Sequence, residues 1–275
     1  SVGGTGKTQI IKALGAFYMK QGRKIMIISK GYGGSYKNHA LVSANSDVRE
    51  AGDEPLELAH DLAAYGDPNI IVCRNPANIL PLIEDINPDL ILVDDGLQNP
   101  SFIKDFRILM VDGQRGFGNG FIIPAGPLRE SEKYSTGNAD LIVCINPSKK
   151  IEGILSNNQQ FIKAASEIHL NIEKREKILA FCGIGNPDIF FETVKDRCTI
   201  SEKITFPDHH LYSKQDIERI NFLAKKAGVS KIVTTEKDIT KIQKELFDFE
   251  VHVCKLFISE ESVNLIANKI HEKLF

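Results

Sequence analysis

A chain of 275 residues that is 42% hydrophobic and 25% charged can bury one large α/β core or two smaller ones, which excludes a disordered polypeptide. Its 34 basic and 36 acidic side chains leave a formal charge of −2, without the strongly basic footprint of a nucleic-acid binder. The five cysteines form no C-x-x-C pair, which excludes a disulfide-stapled scaffold, argues against zinc, and points to reduced thiols in a cytoplasm.

In chain order, Ser1-Val2-Gly3-Gly4-Thr5-Gly6-Lys7-Thr8 is a glycine-rich loop of the kind that follows a buried strand, so the chain reads as truncated just after that strand. Gln9 to Gln21 places Ile10, Ile11, Leu14, Phe17 and Tyr18 on one helical face, with Gly22 as a stop. Apolar runs of strand length follow at Lys24 to Ser29, Asn69 to Cys73, Leu90 to Val93, Arg107 to Val111 and Leu141 to Ile145, a pattern that predicts a mostly parallel sheet with helices on both faces. The polar stretch Asn146 to Gln160 reads as a connector to a second series of strands near Lys177 to Cys182, Lys231 to Thr235 and His252 to Phe257. Helices are predicted near Asp188 to Lys195 and Lys214 to Ala227. The division is therefore a nucleotide-binding lobe over 1–150 and a smaller α/β lobe over 151–275. Glu260 to Phe275 predicts a closing helix whose Leu265, Ile266, Ile270 and Leu274 belong to a core. No apolar run approaches the roughly 20 residues that span a bilayer.

The opening loop matches the phosphate-binding pattern G-x-x-x-x-G-K-[ST] at Gly6, Lys7 and Thr8, with Ser1 in the place of the first glycine. Such a loop turns backbone N–H groups toward phosphate oxygens. The following helix adds its positive N-terminal dipole, the lysine adds charge, and the threonine hydroxyl can ligate Mg²⁺. Leu90-Ile91-Leu92-Val93-Asp94-Asp95 then supplies carboxylates at the end of an apolar strand, a Walker B arrangement for the metal. Adjacent acids point to opposite sides of a strand, so one of Asp94 and Asp95 belongs near Mg²⁺ and the other orients a loop.

Asp53-Glu54-Pro55 follows Gly52 and admits two readings. Acids are stabilised at a helix N-terminus, and Pro suits the first turn. Alternatively, Asp53 accepts a proton from a substrate hydroxyl and Glu54 joins the metal shell. Asp208-His209-His210, in the second lobe, is either a loop hydrogen bond or an imidazole set against Asp53 across a cleft. Three glycine-rich stretches, 29–34, 116–120 and 124–130, follow predicted strands, where open α/β sheets bind ligands, and together suggest an extended substrate site.

Ser1 to Thr8, Ser29-Lys30-Gly31-Tyr32-Gly33-Gly34, Gly52-Asp53-Glu54-Pro55, Asp94-Asp95-Gly96-Leu97-Gln98, Gly116 to Gly120, Pro124 to Glu130, Phe181 to Pro187, Asp208-His209-His210 and Thr234-Thr235-Glu236-Lys237-Asp238 occur in that order. Taken together they resemble the tetraacyldisaccharide 4'-kinase family over nearly the whole chain. The resemblance implies a phosphate-loop fold and transfer of the ATP γ-phosphate to the 4'-hydroxyl of an acylated glucosamine disaccharide 1-phosphate lipid. It places Ser1 to Thr8 on the nucleotide, Thr8, Glu54, Asp94, Asp95 and Glu130 around Mg²⁺, and Asp53 as base paired with His209. Lys7 is to stabilise charge in transfer, and Tyr32 and Arg129 are to contact substrate. Lys30 stands where the family usually has Arg, and Asn99 where a His is frequent. The family's N-terminal apolar helix and first strand are missing from this sequence. The resemblance implies peripheral attachment through that segment to the cytoplasmic face of the bacterial inner membrane, or a cytoplasmic protein without it. The rival expectation is a nucleotide-dependent switch or chaperone acting on a protein partner, although Thr235-Glu236-Lys237-Asp238 lacks the Asn of a guanine-reading N-K-x-D motif.

Overall fold

The computed structural model describes residues 5–36, 38–101 and 103–274. Helix α1 (Lys7–Lys20) buries Ile10, Leu14 and Tyr18, spaced four apart on one face, and ends where Gly22 turns left-handed at φ 76°. Next come β1 (Ile25–Ser29), β2 (His39–Val42), α2 (Val48–Ala51), α3 (Asp53–Leu62), β3 (Ile70–Cys73), α4 (Leu80–Ile86) and β4 (Leu90–Val93). They build a four-stranded sheet of order β2-β3-β1-β4, in which β1 runs parallel to β3 and β4 while β2 is an antiparallel edge. Every residue of β1 and β3 is buried, which is why both read as unbroken apolar runs.

The chain continues through β5 (Ile108–Val111), α5 (Glu132–Asn138), β6 (Leu141–Ile145), α6 (Lys149–Leu155) and β7 (Phe161–Ala164), and β5-β6-β7 form a second parallel sheet. Between β4 and β5 lies a cavity of about 500 Å³ lined by Ile91, Val93, Ile108, Met110, Ile10 and Ile270. It lies against the first turns of α1. The residues of β4 are accordingly only half buried.

The rest of the chain holds β8 (Ser166–His169), β9 (Lys177–Cys182), α7 (Pro187–Lys195), β10 (Thr199–Thr205), α8 (Lys214–Lys226), β11 (Lys231–Thr235), α9 (Glu236–Ile239), β12 (Glu250–Ile258) and α10 (Glu260–Leu274). Its five-stranded sheet has the order β10-β9-β11-β12-β8, parallel except where β12 meets β8.

Three expectations need correction. Residues 146–160 are no linker: Ser148 caps α6, and Ile151 and Leu155 are buried against the β5-β6-β7 sheet. The sheet of the first lobe runs past residue 150, because β7 pairs with β6 in a continued crossover. Of the core residues expected on the closing helix, Ile266 and Ile270 are buried but Leu265 is not. Val263, Ile266 and Ile270 pack with Ile10, Leu14 and Tyr18 of α1, while Leu265 is exposed. An apolar seam thus joins α1 and α10.

Candidate active site

Gly6 caps α1 with φ 80°, a conformation that costs an ordinary residue strain, and a Cβ there would come within 2.4 Å of the Ile145 side chain. Ser1, Val2, Gly3 and Gly4 lie outside the described residues. Thr5 is buried, and Thr8 stands in the first turn of α1. Lys7 Nζ lies 2.8 Å from Asp95 Oδ1, and Arg129 pairs with the other carboxylate oxygen, with Lys30 Nζ 3.9 Å away. Asp95 itself has φ 53°, turned out of the strand direction just after β4. Burial works to raise its pKa, but hydrogen bonds from Arg129 and Lys7, and their charges, outweigh it and bring Asp95 to about 2. Asp95 is therefore a fixed anion that orients two cations.

Its neighbour is in the opposite state. Asp94 is buried, and its Oδ1 has no hydrogen-bond partner. Burial foremost, and then the negative charge of Glu54, raises its pKa to about 6 against the pull of Lys7. An orphaned oxygen of this kind, beside a second carboxylate and below the N-terminus of a phosphate-binding helix, suits a hard divalent cation held by oxygen ligands. Glu130 is engaged elsewhere: its Oε1 accepts hydrogen bonds from Gln98 and Ser135, both at 2.9 Å. The acids thus divide, with the charge of Glu54 acting on Asp94 and with Asp95 and Glu130 held by other side chains.

Asp53 and Glu54 open α3. Gly52, at φ 87°, lets the chain turn into that helix, and a Cβ there would sit 2.8 Å from the Tyr32 carbonyl oxygen. The loop over residues 29–34 therefore lies directly on the turn that carries Asp53. The Asp53 carboxylate, 5% exposed, meets His209 of the second lobe, whose Nδ1 is 2.9 Å from Oδ2 and 3.1 Å from Oδ1. His209 follows β10 with φ 60° and donates its backbone N–H to Asp208 Oδ1. Its ring lies 5.7 Å from the Tyr32 ring at a tilt of 54°, and Tyr32 is 76% exposed. The acids of Asp53-Glu54 stand at a helix N-terminus, and of the two readings of Asp208-His209-His210 the structure places the His209 imidazole against Asp53.

Two groups escaped the sequence. Lys237, at the N-terminal turn of α9, lies 3.4 Å from Asp53 Oδ2. Its position in Thr235-Glu236-Lys237-Asp238, at the end of a buried strand, was the available signal. Lys12 of α1 lies 2.8 Å from Asp61 Oδ2, 3.0 Å from Glu236 Oε2 and 3.9 Å from Glu57 Oε1. Among the described residues, Glu57, Asp61 and Glu236 are the group whose carboxylates converge as metal ligands would. The Lys12 ammonium is already the cation among them, with Lys255 Nζ 3.5 Å from Glu236 Oε1 and 3.8 Å from Asp61 Oδ1.

Of the remaining glycine-rich stretches, 116–120 and 124–130 fold on each other. The Asn119 amide donates to the Ala125 carbonyl, and Gly118 lies against Pro127. This loop exposes Phe121, Ile122 and Ile123, and through Arg129 it is tied to Asp95.

A family model described as LpxK, tetraacyldisaccharide-1-P 4'-kinase, matches residues 1–273. The chain is 41% identical over 279 residues to the tetraacyldisaccharide 4'-kinase of Rickettsia canadensis, covering 100% of this chain and 82% of that protein. It is 40% identical over 278 residues to the protein of the same name from Rickettsia bellii, covering 99% and 83%. In three dimensions it is similar to the crystal structure of LpxK from Aquifex aeolicus in complex with ATP, with a TM-score of 0.70 over 100% of this chain and 86% of that one. The identity there is 23%, so this likeness is one of fold.

Proposed function

The chain belongs to the tetraacyldisaccharide-1-P 4'-kinase family, and from that premise we propose that it transfers the γ-phosphoryl group of ATP to the 4'-hydroxyl of a tetraacylated glucosamine disaccharide 1-phosphate in lipid A biosynthesis. The observation that carries this reading is the dipeptide Asp53-Glu54. Asp53 pairs with His209 at 2.9 Å, and Glu54 turns its charge on Asp94 next to the Lys7 end of α1. A hydroxyl acceptor and a triphosphate can therefore meet at one helix N-terminus. The alternative of a switch acting on a protein partner lacks the support of the family.

Asp53 takes the proton of the 4'-hydroxyl as that oxygen bonds to the γ-phosphorus and the bond to the bridging oxygen of ADP breaks. His209 holds the carboxylate in line from the second lobe. Lys7 and the first N–H groups of α1 receive the phosphate oxygens, with Asp95 keeping Lys7 and Arg129 in place. Thr8, Asp94 and Glu54 are the residues that would hold Mg²⁺, whose chemistry is to neutralise charge on the phosphates. Asp95 and Glu130 take positioning roles in this reading. Catalysis is then chiefly positioning and electrostatics.

Among the described residues no helix is long and apolar enough to cross a membrane. We place the protein at the cytoplasmic face of the inner membrane as a peripheral enzyme. The exposed Phe121-Ile122-Ile123 tip, on the loop that bears Arg129, meets the acylated acceptor there. Incubation with γ-labelled ATP, Mg²⁺ and the acylated disaccharide 1-phosphate, followed by chromatography, tests donor and acceptor together. Label on the 4' position supports the reading, and label released only as inorganic phosphate overturns it.

A further inference from the structure

The lysine of the Thr235-Glu236-Lys237-Asp238 turn has no part in the reading above, yet it is the cation placed at both members of the Asp53–His209 pair. Its Nζ lies 3.4 Å from Asp53 Oδ2, 3.4 Å from His209 Nε2 and 3.5 Å from Asp208 Oδ1. We propose that Lys237 is a positioning residue that fixes the proton of His209 on Nδ1, so that the imidazole donates to Asp53 and Asp53 alone keeps lone pairs open to an acceptor hydroxyl. This deepens the phosphoryl-transfer reading and rests on it.

The chemistry follows from the donor inventory. An ammonium has donors and no acceptor, so a contact between Lys237 Nζ and His209 Nε2 requires a lone pair on Nε2. A neutral imidazole with Nε2 free carries its hydrogen on Nδ1, the nitrogen that faces both oxygens of Asp53. A proton on Nε2 would point at the ammonium. The same cation stands beside a carboxylate that is nearly buried, where a lone negative charge is costly.

The other charged groups facing the pair are accounted for. From α3 come Asp53 and Glu54. From the loop after β10 comes Asp208, whose Oδ2 lies 3.7 Å from His209 Nε2, beyond hydrogen-bond reach. From the far side, Lys241 Nζ lies 3.9 Å from Asp53 Oδ2 and is drawn instead to Asp238 at 3.3 Å. Burial would lower the Lys237 pKa, but the charges of Asp53, Asp208 and Glu54 outweigh it and raise the pKa, so Lys237 stays an ammonium. The backbone supports this placement. Thr235 caps α9 by accepting from the Asp238 N–H, and Asp238 Oδ2 accepts from the Gly183 N–H at 2.9 Å, which pins the turn that carries Lys237.

The test is nitrogen NMR of the whole protein labelled with ¹⁵N in its histidine rings, with His209 assigned through His209→Gln. The expected wild-type pattern is a protonated Nδ1 and a bare Nε2. Lys237→Arg, also donor-only, should retain this pattern, and Lys237→Met should lose it to a mixture of tautomers or to imidazolium. A wild-type ring protonated on Nε2, or a Lys237→Met spectrum identical to wild type, overturns the proposal. In turnover, Lys237→Met should lower kcat at least about tenfold with KM for ATP within about twofold, and Lys237→Arg should recover most of it. A loss confined to KM for ATP overturns the positioning role. Because the tautomer is read without substrate, failure of the disaccharide to accept phosphate would count against the proposed function and leave the assignment of the His209 proton by Lys237 standing, without its role toward an acceptor.

Discussion

Two ionic clusters are assembled from the same two helices and differ in what surrounds them. Asp53 and Glu57 lie one turn apart on α3, and Glu236 and Lys237 are neighbours on α9. At one end of this pair, Asp53 and Lys237 meet His209, whose side chain is one third exposed, beside the open ring of Tyr32. At the other end, Glu57 and Glu236 close with Asp61 around Lys12, and the Lys12 and Glu57 side chains are more than nine-tenths buried. The residue types are nearly the same in both. Solvent access makes one a site where a proton can change hands and the other a lock between the phosphate-binding helix and the second lobe.

If the open cluster is the reactive one, Asp53→Asn should reduce phosphoryl transfer by about 10²–10⁴-fold, the range of a lost general base, with ATP affinity and melting temperature little changed. Steady-state kinetics beside nucleotide titration would show it, and retention of activity within about tenfold would remove Asp53 from that role. If the closed cluster is the lock, Lys12→Met should remove the buried ammonium from Glu236 and Asp61 and leave only the more exposed Lys255, 3.5 Å from Glu236 Oε1 and 3.8 Å from Asp61 Oδ1, to face them. The loss should be about 3 kcal/mol of stability in denaturant unfolding, the low end for a broken buried pair. A variant as stable as wild type would break the comparison between the two ends.

How much of this was legible in the sequence depended on burial. Strands buried on both faces, β1, β3, β6 and β9, stand out as apolar runs, and β4 and β11 could be placed by the same signal. The strands that went unread, β2, β7, β8 and β10, are all sheet edges. Thr199–Thr205 shows why: only Ile204 is buried and the other side chains are exposed or half-buried, so its composition is that of a loop. The polar stretch at 146–160 hid α6 for a related reason, since a helix of two turns needs only Ile151 and Leu155 to hold it. At the site, the phosphate loop and Asp94-Asp95 are contiguous motifs that the sequence shows as patterns, whereas Asp53 stands open between two readings until the resemblance is added. The contacts of Lys12 and Lys237 are not local. Lys12 meets Glu236 across 224 positions, and a lone lysine on a helix gives no sign of the acids that the fold will bring to it.

Glu57 offers a finer probe of the closed cluster. Burial foremost, with Glu236 and Asp61 adding to it and Lys12 opposing, raises its pKa from the ordinary 4.5 to about 7. A carboxyl whose folded-state pKa is raised binds its proton more tightly when folded. Its contribution to stability is therefore complete below about 4.5 and is lost as pH climbs through about 7. Glu57→Gln removes that dependence, so wild type should lose up to roughly 3 kcal/mol relative to the variant between pH 4.5 and pH 8. Urea unfolding of both proteins across that range gives the difference directly, and parallel curves would mean that Glu57 is ionised throughout.

The smallest expected effect sharpens the comparison at its boundary, the turn from which α3 starts. Gly52→Ala puts a methyl group at φ 87°, where its Cβ would lie 2.8 Å from the Tyr32 carbonyl oxygen. The backbone at φ 87°, ψ 157° is open essentially to glycine alone and costs alanine about 1–3 kcal/mol, and a backbone oxygen cannot swing aside as a flexible side chain can. The strain falls on Asp53, the next residue, and on the loop bearing Tyr32, while Glu57 lies a full turn beyond it inside a helix whose apolar face is already packed. Gly52→Ala should therefore lower kcat more than its modest loss of stability would suggest, and it should leave the pH dependence of unfolding set by Glu57 unchanged. A variant in which activity survives but that pH dependence shifts would show the strain travelling down α3, and the two clusters would then be one mechanical unit.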